Sequence, residues 1–120
     1  MSNFRNLLIW QKAMALVTNI YRSTKVFPKE ELFGLTSQIR RSSVSIASNI
    51  AEGYGRGSDA EIIRFINIST GSLFELQTQL EIAFNIEYLS QEEYKKLYQD
   101  SRELEIMMIS FTKNIKKRLQ

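Results

Sequence analysis

The side chains able to do chemistry here are arginines, lysines and carboxylates, because the chain has no histidine and no cysteine. That removes the commonest general base and metal ligand, the thiol nucleophile, cysteine-held zinc and any disulfide framework. The densest arrangement of what remains is the run from Gln38 to Ser58, QIRRSSVSIASNIAEGYGRGS. It carries Arg40, Arg41 and Arg56, with Tyr54 beside its glycines and Arg64 shortly after. The planar guanidinium fork suits phosphate, so Arg40, Arg41 and Arg56 are candidate nucleic-acid contacts. Lys116, Lys117 and Arg118 join them from the C-terminal tail, where cations also favour a helix end in their own right. Gly53, Gly55 and Gly57 have the spacing of a phosphate loop, but such loops follow a strand and open a helix. Here they follow a helix-like segment, and Asp59 and Glu61 would repel a phosphate from the next one. A C-cap and tight turn is the stronger reading. Glu52 and Glu75 fall far apart along the expected hairpin, and a Glu-x-x-His di-metal centre lacks its histidine. The chain is therefore read as non-enzymatic, with no cofactor and no metal.

A length of 120 residues and a hydrophobic content of 43% suit one domain with a real core. No segment resembles a signal peptide, and no apolar run approaches the roughly 20 residues of a bilayer span. A cytoplasmic protein away from membranes is expected. The net charge of +3 is unevenly spread. Ser58 to Tyr88 holds Asp59, Glu61, Glu75, Glu81 and Glu87 against Arg64 alone, whereas both ends are basic. Such asymmetry steers anions to one face or pairs subunits.

Apolar spacing predicts four helices. The first runs from about Asn6 to Lys25 on a stripe of Ile9, Ala13, Leu16, Ile20 and Thr24. Trp10 is a core or interface anchor, with Phe4 folding against a neighbour. After the break at Val26-Phe27-Pro28-Lys29, the second helix reaches about Glu52 through Leu32, Leu35, Ile39, Ser42, Ile46 and Asn49. Its small residues Ser42, Ser43, Ser45, Ala47 and Ser48 invite a close partner helix while lowering helix propensity. Ser58 and Glu61 form a capping box, opening a third helix to about Tyr88. Its stripe is Ile62, Phe65 or Ile66, Ser69, Leu73, Leu76, Leu80 and Ala83, widened by Ile63, Ile82, Ile86 and Leu89 to burial on more than one side. Gly71 in its middle means either a close backbone approach or a kink, and the unchanged apolar phase on both sides favours close approach. Ser90 and Glu93 form a second capping box, and the fourth helix follows Tyr94, Leu97, Ser101, Leu104, Met108, Phe111 and Ile115. Ile106, Met107 and Ile109 exceed one seam and predict a subunit interface. Short connections give an all-α, antiparallel up-down-up-down four-helix bundle, elongated and oligomeric, over residues 1–120.

A hairpin turning near Arg56 puts Arg41 near Ser72 and Gln38 near Glu75. Arg41 or Gln38 is expected to bond Glu75, and Glu52 to pair with Arg64 or Arg56, because a partly buried carboxylate needs such a partner. That pairing favours Arg40 and Arg56 over Arg41 as nucleic-acid contacts.

These residues also carry a resemblance. Ile9-Trp10-Gln11-Lys12-Ala13, Phe27-Pro28-x-Glu30 with Gly34-Leu35, and Gln38-Ile39-Arg40-Arg41 resemble the proteins encoded by intervening sequences in bacterial 23S ribosomal RNA genes. So do Ser45-Ile46, Asn49-Ile50-Ala51-Glu52-Gly53, Gly55-Arg56, and Gly71-Ser72 with Glu75. The resemblance covers nearly the whole chain. It implies a four-helix bundle assembled as a homopentamer. It also implies similarity to the accessory variability proteins of diversity-generating retroelements, which bind nucleic acid and a reverse transcriptase. Two functions follow as expectations. One is an oligomeric binder of structured RNA or other nucleic acid; the other is a scaffold docking a protein such as a reverse transcriptase.

Overall fold

The structure is a computed structural model that describes residues 3–119. The helices are α1 (Leu8–Thr24), α2 (Leu35–Gly55), α3 (Asp59–Asn85) and α4 (Gln91–Arg118), with 3-10 turns at Phe4–Asn6 and Lys29–Glu31. Each helix packs on its chain neighbours, and α1 also packs on α4. The result is a closed antiparallel square of 48 × 22 × 21 Å. That length agrees with the roughly 45 Å expected of helices near 30 residues. Among the described residues, no helix is long and apolar enough to cross a membrane.

The stripe expected on α1 is the buried one, from Ile9 to Thr24. Both expected serine N-caps form: Ser58 Oγ accepts from the Glu61 amide at 3.2 Å, and Ser90 Oγ from the Glu93 amide at 3.1 Å. They satisfy amides that would otherwise lack partners at the starts of α3 and α4. Leu16, Ile20, Ile39, Ile46, Ile50, Leu73, Leu76, Leu80, Leu104 and Met108 are fully buried. Each such side chain contributes about 1.5–3 kcal/mol on burial.

The serine-rich half of α2 bonds directly to α3. Ser69 Oγ donates to the Ile46 carbonyl at 2.9 Å, and the Ser45 and Ser72 hydroxyls bond at 2.9 Å. Asn49 Nδ2 donates to the Ser45 carbonyl at 2.8 Å. Ser42 Oγ reaches Gln79 Oε1 at 2.8 Å. Small hydroxyl side chains thus let the backbones approach while leaving few polar groups without partners.

Several expectations are corrected. The second helix begins at Leu35, not directly after the proline, and leaves Leu32 exposed. Its buried face continues through Ile50 and Gly53 rather than Asn49. The three glycines do not act alike. α2 runs through Gly53 and Gly55, and only Gly57 is left-handed, at φ 81°. Gly53 faces Phe65, whose Cβ would lie 2.6 Å from a Cβ placed there. The later turn shifts the hairpin register, so Ser72 meets Ser45, one turn beyond Arg41. Gly71 makes no close approach, because nothing lies within 4 Å of the space beside it. Of the residues expected to widen the α3 stripe, Leu89 is buried and Ile63 packs against the core, whereas Ile82 and Ile86 are exposed.

Candidate functional site

The candidate nucleic-acid contacts fall into two places. Arg118 Nη2 lies 2.9 Å from Asp59 Oδ1, which ties the end of α4 to the start of α3. This brings Lys116, Lys117 and Arg118 to the same end of the bundle as Arg56, which caps α2. Lys113, Lys116 and Lys117 are exposed and have no ion pair among the described residues. Lys113 and Lys116 border a surface groove between α3 and α4, with Asn67 and Thr70 opposite. Arg56 Nη2 bonds Glu52 Oε1 at 2.8 Å, which realises one of the two expected pairs. That bond is the main reason the Arg56 pKa is raised. Arg64 pairs with Glu61 instead, at 3.4 Å. Both guanidinium groups lie about 5 Å from the centre of the Phe65 ring, at 5.1 and 5.0 Å. The ring holds two cations at the turn.

Arg40 and Arg41 lie roughly 22 Å back along α2, at about 1.5 Å per residue. Their roles are the reverse of the expected ones. Arg40 Nε donates to the Thr24 hydroxyl at 2.9 Å, and its guanidinium sits 4.7 Å from the Tyr21 ring. It joins α2 to the end of α1. Arg41 is exposed and has no partner among the described residues. Neither Arg41 nor Gln38 bonds Glu75. Gln79 Nε2 does, at 3.4 Å, from one turn along α3. A neighbour at i+4 needs no register across the hairpin, so it takes the carboxylate. Arg41, Gln38 and Glu75 nevertheless line one cleft, together with Phe33, Ser37 and Gln79.

Sequence reasoning missed a buried charge. Glu105, on α4, is 9% exposed. Its Oε1 lies 2.7 Å from Arg102 Nη1 and accepts from Gln77 Nε2 on α3 at 3.0 Å. Burial pushes this carboxyl's pKa up, but the Gln77 and Arg102 bonds outweigh it and hold the group below its ordinary value. The Arg102–Glu105 spacing of i, i+3 was the available signal. Lys12 Nζ binds Glu103 Oε2 at 2.7 Å and joins α1 to α4. Glu31 was also missed as a cap: its Oε1 accepts from the Leu35 amide at 3.2 Å, and its Oε2 from the Tyr88 hydroxyl at 2.9 Å.

The exposed surface is apolar in places. Phe74 and Ile82 on α3 stand beside Tyr98 on α4 along one groove. Leu8, Ile106, Met107 and Phe111 line another, between α1 and α4. Ile106 and Ile109 are exposed, as the surplus on the fourth helix foretold.

This geometry defines a class: a closed antiparallel four-helix bundle with a cationic end and apolar outer grooves. The model of the 23S rRNA-intervening sequence protein family matches residues 5–110, and the chain belongs to that family. It is similar to a crystal structure of a protein with unknown function from the S23 ribosomal protein family of Bacteroides thetaiotaomicron VPI-5482. The two are 28% identical, with a TM-score of 0.81 over 88% of this chain and 96% of that one. No curated protein matches the chain.

Proposed function

We propose that this chain is a non-enzymatic, cytoplasmic, homo-oligomeric protein that binds structured RNA through its cationic end. The observation that supports this reading is the convergence of Lys113, Lys116, Lys117 and Arg118 with Arg56, because α2 and α4 both end on this side of the bundle. Lysines without intramolecular partners neutralise phosphates and release counterions. One protomer offers few such contacts. Assembly would multiply them, and the exposed Phe74, Ile82, Ile106 and Ile109 supply apolar surface for it. The homopentamer rests on family resemblance.

The test is light scattering for mass, followed by anisotropy titrations with RNA and DNA at two salt concentrations. An oligomer whose affinity falls steeply with salt supports the reading. A monomer without salt-sensitive binding defeats it. The second reading, a scaffold docking a protein such as a reverse transcriptase, draws on the same apolar grooves. It would be favoured by a reverse transcriptase gene beside this one, whereas an interrupted ribosomal RNA gene favours the first.

A further inference from the structure

We infer that the cleft between α2 and α3 beside Phe33 receives one unpaired base of a bound nucleic-acid strand. This deepens the nucleic-acid reading above and rests on it. The cleft has a volume of about 580 Å³, within the general range of ligand pockets.

Three observations converge on it. Phe33 is 94% exposed, in the turn before α2, and its ring has no partner among the described residues. An aromatic face left in water is a surface on which any base can stack. Arg41 and Gln38 are likewise exposed and unpartnered among the described residues, on the same wall of the cleft. The opposite side is held in place: Ser42 Oγ bonds Gln79 Oε1 at 2.8 Å, and Gln79 Nε2 bonds Glu75 Oε1 at 3.4 Å. The site is therefore ordered where polar readout is needed and open where stacking is needed.

Charge sets the orientation. The Glu75 carboxylate repels a phosphate, so the strand's phosphate goes to Arg41 and the base edge to Glu75. Glu75 keeps acceptor capacity beyond its one bond from Gln79, and a carboxylate accepts from an exocyclic amino group. Cytosine, adenine and guanine carry that group, and uracil does not. The cleft thus favours an amino-bearing base, while the cationic end holds the backbone without regard to sequence.

The experiment uses the full chain and a hairpin RNA carrying 2-aminopurine in its loop, with a matched duplex and a DNA hairpin as further arms. The 2-aminopurine emission should change on binding. Phe33→Ala should weaken loop binding by about tenfold, in line with base–aromatic stacking, while leaving duplex binding unchanged. Phe33→Trp should restore it. Arg41→Gln should weaken the loop complex, and an all-uracil loop should bind more weakly than a cytosine loop. Binding of both hairpins assigns the cleft to the base alone; binding of the RNA hairpin alone adds the ribose hydroxyl. Salt-sensitive RNA binding that Phe33→Ala and Arg41→Gln leave untouched overturns the cleft and spares the general reading. So does an equal loss on loop and duplex, or a fall in assembly mass with Phe33→Ala. No binding of any nucleic acid overturns both.

Discussion

The Arg118 guanidinium lies 2.9 Å from the Asp59 carboxylate, and this pair joins the end of α4 to the start of α3. Both side chains are partly exposed, so the pair contributes at most about 1 kcal/mol to stability. Its greater effect is on charge, because Asp59 opposes a phosphate at this end. Asp59→Asn should therefore strengthen RNA binding about two- to threefold at low salt, with unfolding shifted by under about 1 kcal/mol. Anisotropy and urea titrations check the two parts.

Glu105 gives the bundle an acid-sensitive lock between α3 and α4. Its carboxyl titrates below its usual value in the fold. The stabilisation is therefore fully present above the unfolded pKa and is lost as pH falls through the folded one. Glu105→Ala should cost about 1–3 kcal/mol at neutral pH, since it removes the acceptor of Arg102 and leaves Gln77 only its longer bond to Ser101. From about pH 6 to about pH 3, the native chain should lose more stability than Glu105→Gln does. Urea unfolding across that range measures the difference.

The two helical glycines should respond oppositely. Gly53→Ala places a Cβ 2.6 Å from Phe65 Cβ and should cost about 1–3 kcal/mol. Gly71→Ala meets open space and should stabilise the chain by about 0.5–1 kcal/mol. Thermal unfolding monitored by circular dichroism distinguishes the two.

Assembly should depend on the outer face of α3. Ile82→Lys substitutes an exposed side chain, so the fold should persist while the assembly dissociates. Light scattering should then give a mass near 14.0 kDa. An unchanged larger mass would move the interface elsewhere, with the α1–α4 groove at Leu8 and Ile106 the next surface to test.

Much of this bundle was readable from spacing. The α1 stripe and both serine N-caps are local patterns, set by helical period and by side chains three residues from their partners. The failures are non-local. Arg40 and Arg41 are adjacent in sequence but about 100° apart around the helix, and spacing alone does not say which faces Thr24. Glu75 looked in need of a partner across the hairpin, yet Gln79 supplies one locally. The unbroken apolar phase on both sides of Gly71 argues for a close approach over a kink, but no neighbouring element of the chain reaches it. Phe33 escaped notice because Glu31 caps α2 only at Leu35, which leaves Phe33 in the turn.

If the unpartnered lysines at one end of the bundle bind RNA phosphates, reversing their charge should abolish most of the affinity. Lys116→Glu with Lys117→Glu tests it most directly, since both side chains are exposed and the fold should persist. Each lost phosphate contact should flatten the slope of log affinity against log salt by about 0.7–0.9. Binding should weaken at least about tenfold at low salt, with mass and helicity unchanged. A folded, fully assembled double variant with native affinity and native salt slope would contradict it.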